Sequence, residues 1–199
     1  MVHIDGFNLY HGMHGEFGRS TLWLDVVKLA QSFRPTQRLV GVKYFSAPVL
    51  DDSAAQGRQA HYIDALTALY PQQFTAVMGR YQKKTITCFG CGRQHQHYEE
   101  KETDVNIAVT LVADAARHEM DSAILVSGDS DLAPAVSAVS SIGAHLFIAA
   151  AFPPNRVSKH LRTLMPASFN VDRRRIKRLQ LPDSFSAGGQ TFTRPTYWQ

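Results

Sequence analysis

Two continuous apolar runs constrain the fold of this chain most strongly. Residues 123–126 read AILV and residues 144–150 read AHLFIAA, with helical spacing over residues 132–142 between them. Continuous apolar runs of this length are typical of strands that are covered on both faces. Strand, helix and strand in this order predict two parallel strands joined by a helix. The expected fold class is therefore α/β, with a mostly parallel sheet and helices on both faces.

The rest of the chain repeats this alternation. We expect further strands at residues 2–4, 38–47, 74–81 and 169–171. Helices are expected at residues 22–33, 54–70, 104–118, 155–164 and 173–181, with Thr103 as an N-cap. His11 and His14 are assigned to a glycine-containing loop, and residues 83–100 are interpreted as a hairpin insertion.

Composition favours one globular domain with a short tail. Hydrophobic residues make up 44% of the 199 residues and charged residues 19%, which is typical of folded chains. We expect the domain to span residues 1–182 and a flexible C-terminal tail, rich in Ser, Gly and Thr, to span residues 183–199. Two cysteines and no apolar run long enough to cross a bilayer favour a cytoplasmic protein.

Aspartates follow the predicted strands at the point where each strand ends. Asp5 follows residues 2–4, Asp129 and Asp131 follow residues 123–126, and Asp104 opens a predicted helix. Because the carboxyl ends of parallel strands share one edge of a sheet, we expect these carboxylates to gather there. Crowded carboxylates repel one another unless a cation neutralises them, and oxygen ligands suit Mg²⁺ or Mn²⁺. The alternative for each aspartate is a turn or cap role.

Three sequence blocks resemble a known family. The blocks are IDGFNLY, EKETDVNIAVTLVADA and ILVSGDSDLAPAV, in that order, and the segment FNVDRRRIKRLQLPDSF extends the likeness over most of residues 1–185. They are similar to the signature blocks of the NYN domain, a member of the PIN-like nuclease superfamily, and are most similar to its LabA-like branch. The resemblance implies a PIN-like Rossmannoid sheet and metal-dependent cleavage of RNA.

The resemblance also implies roles for individual residues. The family's acidic positions fall on Asp5, Asp104, Asp129 and Asp131, which would hold the metal, and its asparagine falls on Asn8, which would orient the phosphate or a water. Ser127 is expected to let substrate approach the backbone. The alternative is a non-catalytic RNA-binding or regulatory scaffold with the same fold. A phosphatase is disfavoured, because the second acid that it needs would fall on Phe7.

The predicted hairpin contains a candidate zinc site. Cys88, Cys91, His95 and His97 lie within ten residues, and thiolate and imidazole ligands suit Zn²⁺. The alternative is a surface hairpin with two free thiols.

Charge is unevenly distributed and favours a polyanionic partner. Residues 1–150 hold 12 basic and 15 acidic side chains, whereas residues 151–199 hold 9 and 2. RNA is the expected partner. The basic side chains expected to contact phosphates are Lys83, Lys84, Arg173, Arg174 and Arg175, with Arg156, Lys159 and Arg162 along the approach to the acidic site. Apolar surface at Phe7, Leu9 and Tyr10 is expected to serve substrate or a homodimer.

Overall fold

Six parallel strands form the central sheet. The computed structural model describes residues 1–50, 52–143 and 146–199, without the side chains of residues 82, 84 and 95–100. The described strands are β1 (Val2–Asp5), β2 (Val42–Ser46), β3 (Phe74–Met78), β4 (Arg80–Thr87), β5 (Gln94–Lys101), β6 (Ser122–Val126), β7 (Phe147–Phe152), β8 (Phe169–Asn170), β9 (Ser184–Ala187) and β10 (Gln190–Thr193). The large sheet has the order β3-β2-β1-β6-β7-β8, and all its neighbouring strands pair in parallel.

Helices cover both faces of this sheet. They are α1 (Gly6–Phe17), α2 (Val26–Phe33), α3 (Ser53–Leu69), α4 (Thr103–Ala116), α5 (Ala133–Ile142), α6 (Lys159–Leu164) and α7 (Arg173–Arg178). One face packs against α1, α2, α3 and α7, and the other packs against α4, α5 and α6. The predicted α/β class, with a parallel sheet between two helical layers, is confirmed. None of the described helices is long and apolar enough to cross a membrane.

A buried ionic network fixes β1 at the centre of the sheet. His3 and Asp114 are both buried, and His3 Nε2 lies 2.7 Å from Asp114 Oδ2, while Lys43 Nζ donates to Asp114 Oδ1 at 2.6 Å. Burial alone would raise the pKa of Asp114, but hydrogen bonds from His3 and Lys43 outweigh it and lower that pKa to about 2. Burial lowers the pKa of His3, whose Nδ1 has no partner in the described chain, so the ring is neutral. Strands β1 and β2 and helix α4 are thereby tied together.

Helix α1 begins directly where β1 ends and corrects the expected loop around His11 and His14. Glycine lowers helix propensity, and the glycines in this segment favoured a loop. The structure shows why they are there. A Cβ on Gly6 would lie 2.6 Å from the Tyr44 ring, and one on Gly12 would lie 2.7 Å from the Pro154 carbonyl oxygen. Glycine lets α1 pack closely against neighbouring backbone and side chains.

The C-terminal segment differs from the flexible tail that its composition predicts. Strands β9 and β10 pair as an antiparallel hairpin, and Phe192 and Trp198 are buried at 4% and 5% exposure. Trp198 packs against Trp23 and Tyr62, with ring centroids 6.2 and 5.9 Å apart. The Ser- and Gly-rich composition reflects the hairpin and its turn. The buried rings of Phe192 and Trp198 hold the segment against the domain.

Several element boundaries also differ from expectation. The N-cap of α4 is Glu102 in a left-handed conformation (φ 79°) rather than Thr103, which is the first helical residue. The predicted strand at 144–150 is observed over Phe147–Phe152, and residues 144 and 145 lie outside the described part. The hairpin insertion is formed by β4 and β5, which pair antiparallel from Arg80 and Lys101 towards the tip.

Candidate functional site

Asp5 stands at the junction of β1 and α1. It is the last residue of the strand and the N-cap of the helix, and its Oδ1 accepts a hydrogen bond from Asn8 N at 2.9 Å. Its Oδ2 accepts one from Ser127 Oγ at 2.8 Å. The side chain is 4% exposed. Both carboxylate oxygens are therefore held in place before any ligand binds.

The loop after β6 is tied to the same corner, because β1 and β6 are neighbours. Gly128 N donates to Asn8 Oδ1 at 3.0 Å, and Asp129 N donates to Ser127 Oγ at 3.0 Å. Asn8 therefore holds the loop through its carbonyl oxygen, while its Nδ2 donates to no described residue and remains the group that can meet a phosphate. Ser127 is fully buried and links Asp5 to the backbone of Asp129.

The charges of two other predicted acids act on Asp5. Burial raises the pKa of Asp5 to about 6, and the negative charges of Asp104 and Asp129 add to this effect. The hydrogen bonds from Asn8 and Ser127 act in the opposite direction without offsetting it. Asp131 is exposed at the start of the 3₁₀ turn over Ser130–Leu132, and its N–H donates to Asp129 Oδ1 at 2.9 Å. Asp104 and Asp129 are therefore close enough to Asp5 for their charges to affect its pKa, and Asp131 follows Asp129 in the same loop.

A close backbone contact fixes the loop that carries Asp129. A Cβ on Gly128 would lie 2.0 Å from the Arg156 carbonyl oxygen, so only glycine fits there. Arg156 follows β7 and is exposed, and its positive charge contributes, after burial, to lowering the pKa of His11 on α1. Arg156 therefore adds a cation at the edge of the acidic corner.

The corner offers oxygen ligands but not a closed metal cage. In the part of the chain that the structure describes, no group of three or more Asp, Glu, His or Cys side chains is arranged to hold a metal ion. Mg²⁺ usually keeps several waters and binds through one or two carboxylates together with substrate phosphates. The carboxylates of this corner would suit only an open site of this kind, in which waters and substrate supply the remaining ligands.

A cavity of about 410 Å³ opens beside Asp5 on the α1 side of the sheet, and sequence reasoning missed it. Aromatic side chains from separate elements line it: Phe7, Tyr10, Tyr44, Tyr62, Tyr81 and Trp198. Phe7, Leu9 and Tyr10, which were expected to form exposed apolar surface for substrate or a dimer, are wall residues, and Leu9 is 1% exposed. The structure does not support a homodimer. Because residues from α1, β2, α3, β4 and the C-terminus meet only in the fold, no local pattern indicated the cavity.

The predicted basic contacts are divided between two places. Lys83 is exposed on β4, two residues beyond the cavity residue Tyr81, and the Lys84 side chain lies outside the described residues. Arg173 and Arg175 stack over Phe17 and Phe33, the last residues of α1 and α2. Phe17 is a full helix length, roughly 18 Å, from Asp5. The structure therefore does not place these two arginines beside the acids, and Arg174 is exposed on the same short helix.

The candidate zinc ligands lie at the hairpin tip. Cys88 and Cys91 are exposed free thiols, and Cys88 O accepts from Gly92 N at 2.8 Å within the turn. His95 and His97 pair in register with Ile86 and Lys84, but their side chains lie outside the described residues. Zinc binding by these residues stays a prediction.

Comparison with known proteins decides the family. The model of the NYN domain matches residues 1–167. The chain belongs to the NYN domain family. The predicted resemblance to the NYN domain is thereby confirmed, and the matched region includes β1 to β7, the acidic corner and α6.

Two relatives illustrate the range of this likeness. The chain is 27% identical to 6-hydroxy-3-succinoylpyridine 3-monooxygenase HspA from Pseudomonas putida, over 69% of this chain and 54% of that protein. The chain thus spans about half the length of this curated relative. A solved structure of a protein of unknown function from Vibrio parahaemolyticus has a TM-score of 0.55 at 20% identity, and covers 86% of this chain and 91% of that one. The second likeness supports the fold alone.

Proposed function

We propose that this NYN domain protein is a ribonuclease that hydrolyses RNA phosphodiester bonds with Mg²⁺ or Mn²⁺ bound at the acidic corner. The observation that carries the proposal is the joining of the β1 and β6 ends. The Asp5–Ser127 and Asn8–Gly128 hydrogen bonds tie Asp5 to the loop that carries Asp129, and the negative charge of Asp104 raises the pKa of Asp5 further. Such a set of carboxylates is electrostatically unfavourable without a cation.

Each residue at the corner has a distinct part in this proposal. Asp5, Asp104 and Asp129 would hold the ion, with Asp131 contributing directly or through a water. Ser127 holds the Asp5 carboxylate in place, as its hydrogen bond shows. The Asn8 amide nitrogen would donate to the scissile phosphate, and Arg156 would neutralise a neighbouring phosphate.

The chemistry supplied by the bound ion would be activation of a water and neutralisation of charge on the phosphate. The side chains position the phosphate for in-line attack by that water. The products would be a 5′-phosphate and a 3′-hydroxyl, and no histidine would be needed as a base.

The test is incubation of the purified full chain with single-stranded RNA, structured RNA and single-stranded DNA in Mn²⁺, Mg²⁺ or EDTA. We expect RNA cleavage in Mn²⁺ or Mg²⁺ and none in EDTA, with 5′-phosphate ends on the products. Binding of RNA without cleavage in any metal would instead support the non-catalytic scaffold.

A second candidate function is oxidation of a small nitrogen heterocycle. The relative named as a monooxygenase of a succinoylpyridine favours it, as does the aromatic cavity beside Asp5. Incubation with hydroxypyridines, a nicotinamide reductant and oxygen, followed by mass spectrometry for a gain of one oxygen atom, tests it. A product with this mass, dependent on the reductant, would favour this function over RNA cleavage.

A further inference from the structure

The aromatic cavity beside Asp5 has the features of a built ligand site. Its volume of about 410 Å³ is within the range of small-molecule pockets, which are usually apolar with a few placed polar groups. Gly6 and Phe7, the two residues that follow Asp5, both line it. A ligand in the cavity would therefore lie directly next to the acidic corner.

Tyr44 supplies an independent sign that a polar ligand belongs there. The side chain is only 8% exposed, yet its hydroxyl has no hydrogen-bond partner among the described residues. The sealed side-chain atoms without a partner belong to His3, Thr103 and Gln180 rather than to Tyr44, so this hydroxyl keeps access to the cavity that Tyr44 lines. Water in the cavity can satisfy this hydroxyl, and an acceptor on a ligand could replace that water.

The surrounding residues keep the cavity open and give it shape. A Cβ on Gly6 would clash with the Tyr44 ring at 2.6 Å, so glycine lets that ring lie against the start of α1. Gln59 holds the far wall, because its amide donates to Ser46 Oγ and the Ala47 carbonyl and accepts from Val49 N. Arg58 lies at the rim with its guanidinium 4.2 Å from the centre of the Tyr197 ring.

We propose that this cavity binds the flat, nitrogen-containing ring of a nucleotide next to the scissile phosphate, with the Tyr44 hydroxyl donating a hydrogen bond to that ring. Aromatic walls stack on flat rings of any base, and the hydroxyl meets the nitrogen or oxygen acceptors that such rings carry. Arg58 at the rim supplies positive charge near the sugar-phosphate. Placing the ring in RNA rests on the proposed ribonuclease function, whereas ring binding itself does not.

The experiment is equilibrium binding to the full chain in EDTA, so that no cleavage occurs. The probes are AMP, UMP, 2-hydroxypyridine and, as a ligand without a ring base, ribose 5-phosphate. Tryptophan fluorescence reports binding because Trp198 lines the cavity, and calorimetry gives an independent affinity. We expect AMP or UMP to bind at least about tenfold more tightly than ribose 5-phosphate, since stacking one base contributes roughly 1–3 kcal/mol.

Two variants and a matched control locate the ring. Tyr44→Phe keeps the aromatic wall and should weaken nucleotide binding about tenfold, the loss expected for one hydrogen bond. Ala55→Trp should fill the cavity and abolish binding. Tyr70→Phe removes a hydroxyl that donates to Asp25 outside the cavity, and should leave the affinity unchanged. Thermal melts establish that each variant is folded at the assay temperature.

The outcomes separate this inference from the cleavage proposal. Asp129→Asn, which should not cleave RNA, should still bind the ring. If 2-hydroxypyridine binds with the same dependence on Tyr44 and the nucleotides do not, the nucleotide assignment is overturned and the ligand of the cavity is a free small molecule. The inference is overturned if ring ligands bind no better than ribose 5-phosphate, or if Tyr44→Phe and Ala55→Trp leave the affinity unchanged.

Discussion

Asp5 is buried, caps α1 and carries a pKa raised to about 6. The folded state therefore binds a proton on this carboxyl more tightly than the unfolded chain does, for which the pKa is near 3.8. Ionisation of Asp5 between about pH 4 and pH 6 removes stability, and the loss is complete above pH 6. The residue that the proposed chemistry needs most is thus one that weakens the fold without a cation.

Asp5→Asn should stabilise the protein in EDTA at pH 7 by roughly 1–3 kcal/mol, because it removes a buried charge beside Asp104 and Asp129. The asparagine side-chain oxygen can still accept a hydrogen bond from Asn8 N, and its nitrogen can donate one to Ser127 Oγ. Urea unfolding of both proteins from pH 4 to pH 8 measures the difference. The gain should shrink towards zero as the pH falls to about 4, and an Asp5→Asn protein less stable than the wild type at pH 7 would contradict this reading.

At the scale of elements, the C-terminal hairpin is held by its aromatic anchors. Trp198→Ala should destabilise the domain by roughly 3 kcal/mol, since it removes a buried ring that packs on Trp23 and Tyr62. Thermal unfolding measures the effect, with Gln199→Ala, at the exposed neighbouring position, as the control. A Trp198→Ala protein as stable as the wild type would mean that the segment contributes nothing to the fold.

The β4–β5 hairpin has its own test. Backbone hydrogen bonds at Gly90 and Cys91, and one from the Cys91 side chain, lower the pKa of the exposed Cys88 thiol, which favours the thiolate that binds metal. We expect about one zinc per chain after dialysis, measured by atomic emission, and loss of it in Cys88→Ser. Thr85→Ser on the same hairpin is the control. Zinc-free protein, or equal zinc in Cys88→Ser, would leave a hairpin with two free thiols.

The sequence predicts correctly those strands and helices whose apolar residues are buried in the core. The runs at β6 and β7 and the stripes of α2 and α5 are buried in the core, so periodicity reports them directly. Helix α1 was missed because its glycines serve contacts with Tyr44 and Pro154, which are distant in sequence. Tertiary packing of this kind leaves no local signal.

In the candidate site, too, some features follow from local sequence patterns and others depend on tertiary contacts. The acids were predictable because topology places the carboxyl ends of β1 and β6 side by side. Two other features depend on side-chain contacts between distant segments. Asn8 accepts a hydrogen bond from Gly128 N, and Trp198 lines the aromatic cavity. Charge alone predicted that Arg173 and Arg175 contact substrate. Both stack on rings away from the acids, and their contact with RNA stays a prediction.

At the scale of the whole molecule, an aromatic cavity and an arginine flank the acidic corner at one edge of the sheet. The acidic corner lies at the carboxyl ends of β1 and β6, the aromatic cavity flanks it on the α1 side, and Arg156 borders it after β7. Under the proposed function, a scissile phosphate would lie at the carboxylates, with the flat ring of its nucleotide in the cavity beside them.

The most direct measurement is the single-turnover rate of RNA cleavage in Mn²⁺ for the wild type, Asp5→Asn, Asp129→Asn and the control Asp64→Asn, an exposed carboxylate on α3. We expect a rate loss of roughly a hundredfold or more in the two corner variants, which remain folded, and a normal rate in Asp64→Asn. Equal cleavage by wild type and by folded Asp5→Asn and Asp129→Asn would contradict the assignment of the acidic corner as the catalytic centre.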